Sequence, residues 1–266
     1  MTRHTVEING RRLSWLQSGQ GQAVILLHAF PLHAEMFAPQ HEATPHGWTL
    51  ITPDLRGFGS ASGPPALSVD DHVDDLLALM RHLSIERAVI GGVSMGGYIT
   101  LAFARRALSR CRALVLADTR AEPDTDEGRA ARATMQMTAR ERGPGAIADA
   151  MLPRLLGPAA RADSGLVQRV RSLALANRAE GIVDGLEALK TRPDSRPSLA
   201  AIDVPALVVV GTDDAVTPLD AAETLRQGIP GAVLRTIPGA GHLANLEAPQ
   251  AFNQALWDFV QQLDRK

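Results

Sequence analysis

Four short, almost uninterrupted apolar runs recur along the chain and limit its fold more than any other feature. They are Ala23-Val24-Ile25-Leu26-Leu27, Ala88-Val89-Ile90, Ala113-Leu114-Val115-Leu116-Ala117 and Ala206-Leu207-Val208-Val209-Val210. Their length and their Val and Ile content read as strands. A strand with one face in water alternates apolar and polar residues. These runs do not alternate, so both faces are covered. Between them lie segments with apolar residues at helical spacing. Ser68 caps one such helix, with Asp70 and Asp71 in its first turn, where the helix dipole favours carboxylates. Val73, Leu76, Leu77, Met80 and Leu83 line its apolar side. Further helices are predicted from about Asp220 to Gln227 and from about Pro249 to Leu263. Strands joined through helices build a mostly parallel sheet covered on both faces.

Other elements fill in this plan. Thr5-Val6-Glu7-Ile8 and Arg11 to Gln17 flank Asn9-Gly10, a hairpin signal because both residues tolerate positive φ. Leu50-Ile51-Thr52-Pro53 reads as a short strand ended by the Gly-rich loop Asp54-Leu55-Arg56-Gly57-Phe58-Gly59, and Ala232 to Ile237 as the last strand. The alternation breaks from Arg120 to about Arg196, where no strand-like run occurs. There Ala, Arg, Leu and Met recur at helical spacing, punctuated by Gly143-Pro144-Gly145 and Gly157-Pro158. A helical insertion is therefore expected over residues 120–197, within a core formed by 1–119 and 198–266. A chain of 266 residues suits one larger α/β domain of this kind.

Composition removes several functional classes. A formal net charge of −2 supplies no field to draw the protein to nucleic acid or an anionic membrane. The single cysteine, Cys111, opens an apolar run and is expected to be buried; one cysteine makes no intrachain disulfide and fits a reducing compartment. The first residues lack an apolar signal core, and no stretch approaches the ~18 apolar residues of a membrane span. A cytoplasmic location is expected. No His, Cys and Asp spacing matches a metal site, and no Gly-rich phosphate loop follows a strand.

Chemistry concentrates at Gly92-Val93-Ser94-Met95-Gly96, between the strand Ala88 to Gly91 and the helical stretch Tyr98 to Arg106. A serine on a sharp strand-to-helix turn needs small neighbours, because a Cβ on either flanking glycine would collide with the adjacent strand or helix. The turn lifts the hydroxyl above the sheet and aims the following N–H groups at the same spot. A serine hydroxyl is a weak nucleophile near neutral pH and needs a base held by a carboxylate.

Of eight histidines, His242 lies in Pro238-Gly239-Ala240-Gly241-His242, just past the last strand and on the sheet edge that carries Ser94. His28 ends a buried strand and is expected to shape the loop after it. His4, His33, His41, His46, His72 and His82 read as surface groups. For the acid, Asp213 and Asp214 close the next-to-last strand, and Asp118 ends another. Asp214 lies farther into the loop, before the Thr217-Pro218 turn, and is the favoured partner. Two N–H donors are needed to stabilise a tetrahedral oxyanion: the Met95 N–H and, from the loop His28-Ala29-Phe30-Pro31, the Phe30 N–H.

These segments, with Gly211-Thr212-Asp213-Asp214 and Gly239-Ala240-Gly241-His242, resemble the α/β-hydrolase superfamily over nearly the whole chain. The order Ser94, Asp214, His242 is that superfamily's order. The stretch from Val210 to Phe259 and the modest helical insertion are similar to the 3-oxoadipate enol-lactonase-like esterases. The resemblance implies an eight-stranded sheet flanked by helices, a helical cap and a cofactor-free Ser-His-Asp hydrolase. Two departures stand out. Ala29 occupies a position usually held by Gly, and the enol-lactonases carry a different segment at His28 to Pro31.

The expected function is hydrolysis of a small carboxylic ester or lactone through an acyl-enzyme. Carbon–carbon bond hydrolysis or perhydrolysis with the same triad is an alternative, as is a non-catalytic ligand receptor. A serine rather than an aspartate at the elbow argues against dehalogenase or epoxide hydrolase chemistry. The 4% aromatic content offers no platform for a large aromatic substrate, and the Ala, Leu and Met of the insertion suggest a modest apolar pocket for short acyl chains.

Overall fold

The computed structural model describes residues 1–263. Its eight strands are β1 (Thr2–Ile8), β2 (Arg11–Gly19), β3 (Gly21–Leu27), β4 (Gly47–Asp54), β5 (Ala88–Val93), β6 (Cys111–Ala117), β7 (Ala206–Gly211) and β8 (Val233–Ile237). They form one sheet in the order β1-β2-β4-β3-β5-β6-β7-β8. β1 with β2 and β2 with β4 are antiparallel; every later pair is parallel. The hairpin turns on Asn9 and Gly10, both at positive φ (52° and 73°).

The four apolar runs fall on β3, β5, β6 and β7, and alternate residues enter opposite layers. Ile25, Leu27, Ile90, Leu114 and Val208 pack beneath helices α2 (Val69–His82) and α3 (Met95–Ala107). Val24, Leu26, Val89, Val115 and Val209 pack on the other side, with Met36, Phe37, Phe252, Leu256 and Trp257. Those partners come from the segment leading into α1 (Ala38–Glu42) and from the helix closing the fold. Cys111 is buried, as expected.

Between β6 and β7 lie α4 (Asp126–Leu155), α5 (Pro158–Ala162), α6 (Ser164–Leu175) and α7 (Ala179–Thr191). α4 breaks at Gly143, whose φ of 73° is a left-handed conformation that glycine adopts without cost. These helices rest on the loops that follow β3, β4 and β8. The Asn177 side chain donates to the Pro31 carbonyl (2.7 Å) and accepts from the Gly59 N–H (2.8 Å). Gly181 meets Gly57 so closely that an added Cβ would sit 1.8 Å from the Gly57 carbonyl oxygen. After β7 come α8 (Leu219–Gly228), then, beyond β8, α9 (Ala244–Glu247) and α10 (Pro249–Gln262). Among the described residues no helix is long and apolar enough to cross a membrane.

The sequence expectations fail at two kinds of place. β4 starts at Gly47 rather than Leu50, because Gly21 pairs with Gly47 and recruits Trp48 and Thr49 into the sheet. The short helices α1 and α9 span too few residues to show a period.

Candidate active site

β5 delivers Ser94 into the turn before α3. Its backbone lies at φ 54°, ψ −111°, a strained left-handed conformation for a residue with a side chain. The glycines around it are required by space. A Cβ on Gly92 would lie 2.3 Å from the Gly96 backbone, and one on Gly96 would lie 2.0 Å from the Leu27 carbonyl oxygen. The strain is held from both sides: the Ser94 N–H donates to Ala117 O (2.9 Å), and the Thr119 hydroxyl donates to Ser94 O (2.8 Å). Ser94 therefore sits at the N-terminus of α3, where first-turn N–H groups have no partner inside the helix.

The structure brings Ser94, His242 and Asp214 into one hydrogen-bonded line. Ser94 Oγ lies 2.8 Å from His242 Nε2, and His242 Nδ1 lies 2.8 Å from Asp214 Oδ2. Asp214 also accepts the Val216 and Thr217 N–H groups (2.7 and 2.9 Å) and the Thr217 hydroxyl (2.6 Å). Burial alone would push the Asp214 carboxyl up. The adjacent His242 ring and the donors from His242 and Thr217 outweigh it and hold the group below the usual carboxylate range. A carboxylate so held fixes Nδ1–H on its own side and leaves Nε2 free to accept the serine proton. Among the described residues, nothing groups His, Cys, Asp and Glu side chains as a metal site.

A profile of the α/β-hydrolase fold matches residues 22–249. The chain belongs to the α/β-hydrolase family. A 3-oxoadipate enol-lactonase of Acinetobacter baylyi is 31% identical, covering 92% of this chain and 91% of the relative. A pimeloyl-[acyl-carrier protein] methyl ester esterase of Chromobacterium violaceum is 30% identical, covering 91% and 96%. A solved thermophilic esterase from Thermogutta terrifontis, with malate bound, is 34% identical and superposes with a TM-score of 0.94 over 99% of both chains. The resemblance to enol-lactonases and the mostly parallel eight-stranded sheet are thus features of this α/β hydrolase.

The other acids and histidines fall in different places. Asp213 is exposed. Asp118 does not reach His242; it is fully buried, accepting the Gly211 N–H (2.9 Å) and the Ala244 N–H (3.1 Å). Burial and the neighbouring charge of Asp214 raise its carboxyl well above the usual range. Asp118 thereby ties the end of β7 to the start of α9, on either side of the acid and the histidine. His28 accepts the Leu55 N–H at Nε2 (3.0 Å) and contacts Ala29 O through Nδ1 (3.0 Å). It staples the loop after β3 to the loop after β4, and burial lowers it to about 4.

His4, His46 and His82 are exposed, but the surface reading fails for His33, His41 and His72, which are buried. His41 bridges the Ser18 and Thr52 hydroxyls (2.7 and 2.8 Å). His72 shares a face of α2 with Val69, Val73 and Leu76, a helical spacing that could have revealed its burial.

A carboxylate absent from the sequence expectations braces the His242 loop. Glu247, on α9, accepts the Gly241 N–H (2.9 Å) and the Leu243 N–H (3.1 Å), the two residues flanking His242. Its Oε2 also accepts the Gly157 N–H (2.9 Å), and the His242 N–H donates to Leu155 O (3.1 Å). Gly241 and Leu243 lie only six and four residues before Glu247, whereas the Gly157 contact spans 90 residues and forms only through folding.

A cavity of about 270 Å³ opens between α3, the loop after β6, α4 and the loop carrying Asp214. Met135 and Met151 line it, but so do Arg120, Arg132, Arg154 and Arg192. The sequence shows these arginines at helical or loop positions without showing that they converge.

Proposed function

We propose that this protein is a serine hydrolase that cleaves a small carboxylic ester or lactone through an acyl-enzyme. The observation that carries the reading is the continuous Ser94–His242–Asp214 hydrogen-bond line on a strained elbow. Ser94 Oγ attacks the acyl carbon while His242 Nε2 takes its proton. Asp214 holds the Nδ1–H and stabilises the imidazolium. His242 then returns the proton to the leaving oxygen. A water, activated by the same imidazole, hydrolyses the acyl-Ser94 ester and frees the acid. In this reading the Met95 and Phe30 N–H groups receive the developing oxyanion. Met95 begins α3, and Phe30 lies in the loop that His28 fixes, so both donors would be set before substrate arrives.

Residues 120–197 are taken as a cap over this site. Their contacts with the loops after β3, β4 and β8 support that role, as does the cavity beneath α4. Its volume lies at the lower end of ligand pockets, which suits a small substrate. The relatives are esterases and an enol-lactonase, consistent with acyl transfer to water.

Release of p-nitrophenol from p-nitrophenyl acetate and butyrate tests the reading. Ser94→Ala should lower kcat by roughly 10⁵-fold with the fold intact by circular dichroism. Turnover that survives this substitution would remove Ser94 as the nucleophile.

A further inference from the structure

The loop after β3, which carries the proposed oxyanion donor Phe30, is joined twice to the loop after β4. From the sheet side the link is His28, which accepts the Leu55 N–H (3.0 Å) and contacts Ala29 O (3.0 Å). From the insertion between β6 and β7 the link is Asn177, in the turn between α6 and α7. Its Oδ1 accepts the Gly59 N–H (2.8 Å), and its Nδ2 donates to Pro31 O (2.7 Å) across 146 residues of chain. The same nitrogen donates to Leu173 O (3.2 Å), one turn back in α6. Asn177 is 4% exposed, so each of these backbone groups depends on it rather than on solvent. A carboxylate of the same shape would offer no donor, and an alkyl side chain neither donor nor acceptor.

The contact with Pro31 reaches Phe30 through few soft rotations. The ring of Pro31 fixes its φ, so a hold on its carbonyl is passed back to the preceding peptide. The groups on the other side of Phe30 are committed as well. The Ala29 N–H donates to Met36 Sδ (3.2 Å), and the Leu32 N–H donates to Ala29 O (2.9 Å). A second part of the insertion meets Phe30 itself. A Cβ on Gly185, in α7, would lie 3.4 Å from Phe30 Cδ2 and 2.7 Å from Phe58 Cζ, so α7 covers both rings. Those rings pack edge to face with centroids 6.1 Å apart. An oxyanion donor stabilises charge best when it is aimed before the charge develops. Asn177 supplies such an aim from outside the sheet.

We propose that Asn177 is a positioning residue for the oxyanion hole, aiming the Phe30 N–H through Pro31, so that the insertion takes part in building the hole. This inference rests on the serine-hydrolase reading for its effect on turnover, but not for the restraint on the loop.

The test uses Asn177→Asp, which keeps the shape and the acceptor for Gly59 but removes both donors. Asn177→Ala is a second variant that adds no charge. Asp163→Ala is the control. It removes the N-cap of α6, where Asp163 accepts the Gly165 and Leu166 N–H groups (2.9 and 3.1 Å), away from the loop after β3. Hydrolysis of p-nitrophenyl butyrate is measured together with inhibition by butaneboronic acid, whose boron takes up the serine oxygen and mimics the tetrahedral intermediate. In both Asn177 variants kcat should fall by roughly 10- to 100-fold with KM within about threefold, and boronate affinity should fall by a similar factor. Asp163→Ala should lower the melting temperature and leave both readings near wild type. Unchanged kcat and boronate affinity in the folded Asn177 variants overturn the proposal and leave the hydrolase reading intact. An equal loss in Asp163→Ala also overturns it, because the loss then follows the stability of the insertion. If the wild type neither hydrolyses the ester nor binds the boronate, the hydrolase reading fails, and spectra of ¹⁵N-phenylalanine-labelled protein decide the restraint alone. A Phe30 amide resonance that shifts or broadens in both Asn177 variants, but not in Asp163→Ala, supports it. An unmoved resonance overturns it.

Discussion

The Glu247 carboxylate and the Gly157 N–H lie 2.9 Å apart across 90 residues of chain. The same carboxylate holds Gly241 and Leu243 on either side of His242. One side chain thus joins the turn between α4 and α5 to the loop that carries the proposed base. The contact is too close for ordinary residues: a Cβ on Gly241 would lie 2.3 Å from Gly157 N. Glu247→Ala would leave three N–H groups without their acceptor. We expect a loss of roughly 2–3 kcal/mol in urea unfolding and a fall of about tenfold or more in kcat, with a smaller change in KM. Glu247→Gln, which keeps one acceptor oxygen, should recover part of both. A purely structural role predicts lost stability with kcat unchanged in the folded fraction.

Asp214→Asn tests which carboxylate serves His242. An amide at this position presents its NH₂ to Nδ1 and forces the proton to Nε2, where it points at Ser94 and removes the base. The loss in kcat should approach 10⁴-fold, while stability changes little because the amide oxygen can still accept from Val216 and Thr217. A loss below about tenfold in ester hydrolysis would mean that another group orients the imidazole.

Much of this arrangement was legible because it depends on local chemistry. Apolar runs without alternation mark β3, β5, β6 and β7, since no other element of that length hides both faces. Ser94 and His242 are readable because glycines surround them, and glycine appears where backbones approach closely. The unreadable parts depend on tertiary encounter. Glu247 has Gly241 and Leu243 close in sequence, but it finds its third donor, Gly157, only after α4 folds back over the β8 loop. The four arginines of the cavity come from the loop after β6, two points on α4 and the end of α7. His41 looks like any polar residue of a short helix until Ser18 and Thr52 are brought to it by β2 and β4.

Gly181→Ala gives a test with opposite signs for local and tertiary effects. In an exposed helix this change stabilises by up to about 1 kcal/mol. Gly181 instead faces the Gly57 backbone, where the new Cβ would lie 1.8 Å from a carbonyl oxygen. Relief requires α7 to move off the Gly-rich loop after β4. The melting temperature should fall, by the equivalent of roughly 1–3 kcal/mol, with faster proteolysis between α4 and α7. A rise in melting temperature would show that α7 does not rest on that loop.

Buried histidines set the response to acid. His28, His41 and His72 are each lowered by burial from 6.5 to about 4. Their neutral forms are thus retained in the folded chain until about pH 4, whereas the unfolded chain takes up protons from about pH 6.5. Stability is therefore full above that point and is lost as pH falls from 6.5 towards 4. Asp118 acts in the opposite sense. Its raised carboxyl keeps a proton in the folded state, so its contribution is present at low pH and lost as pH rises through its folded value. His33, also lowered by burial, adds to the loss, and Asp118 works against it. The unfolding free energy should therefore fall as the pH is lowered from 6.5 towards 4. Urea unfolding at pH 7, 6 and 5 measures this slope. His72 isolates one proton of it, because neither ring nitrogen has a hydrogen-bond partner to lose. His72→Leu should flatten the slope by about 1.4 kcal/mol per pH unit and make the variant more stable than wild type at pH 5. An unchanged slope would mean that His72 is not held neutral in the folded chain.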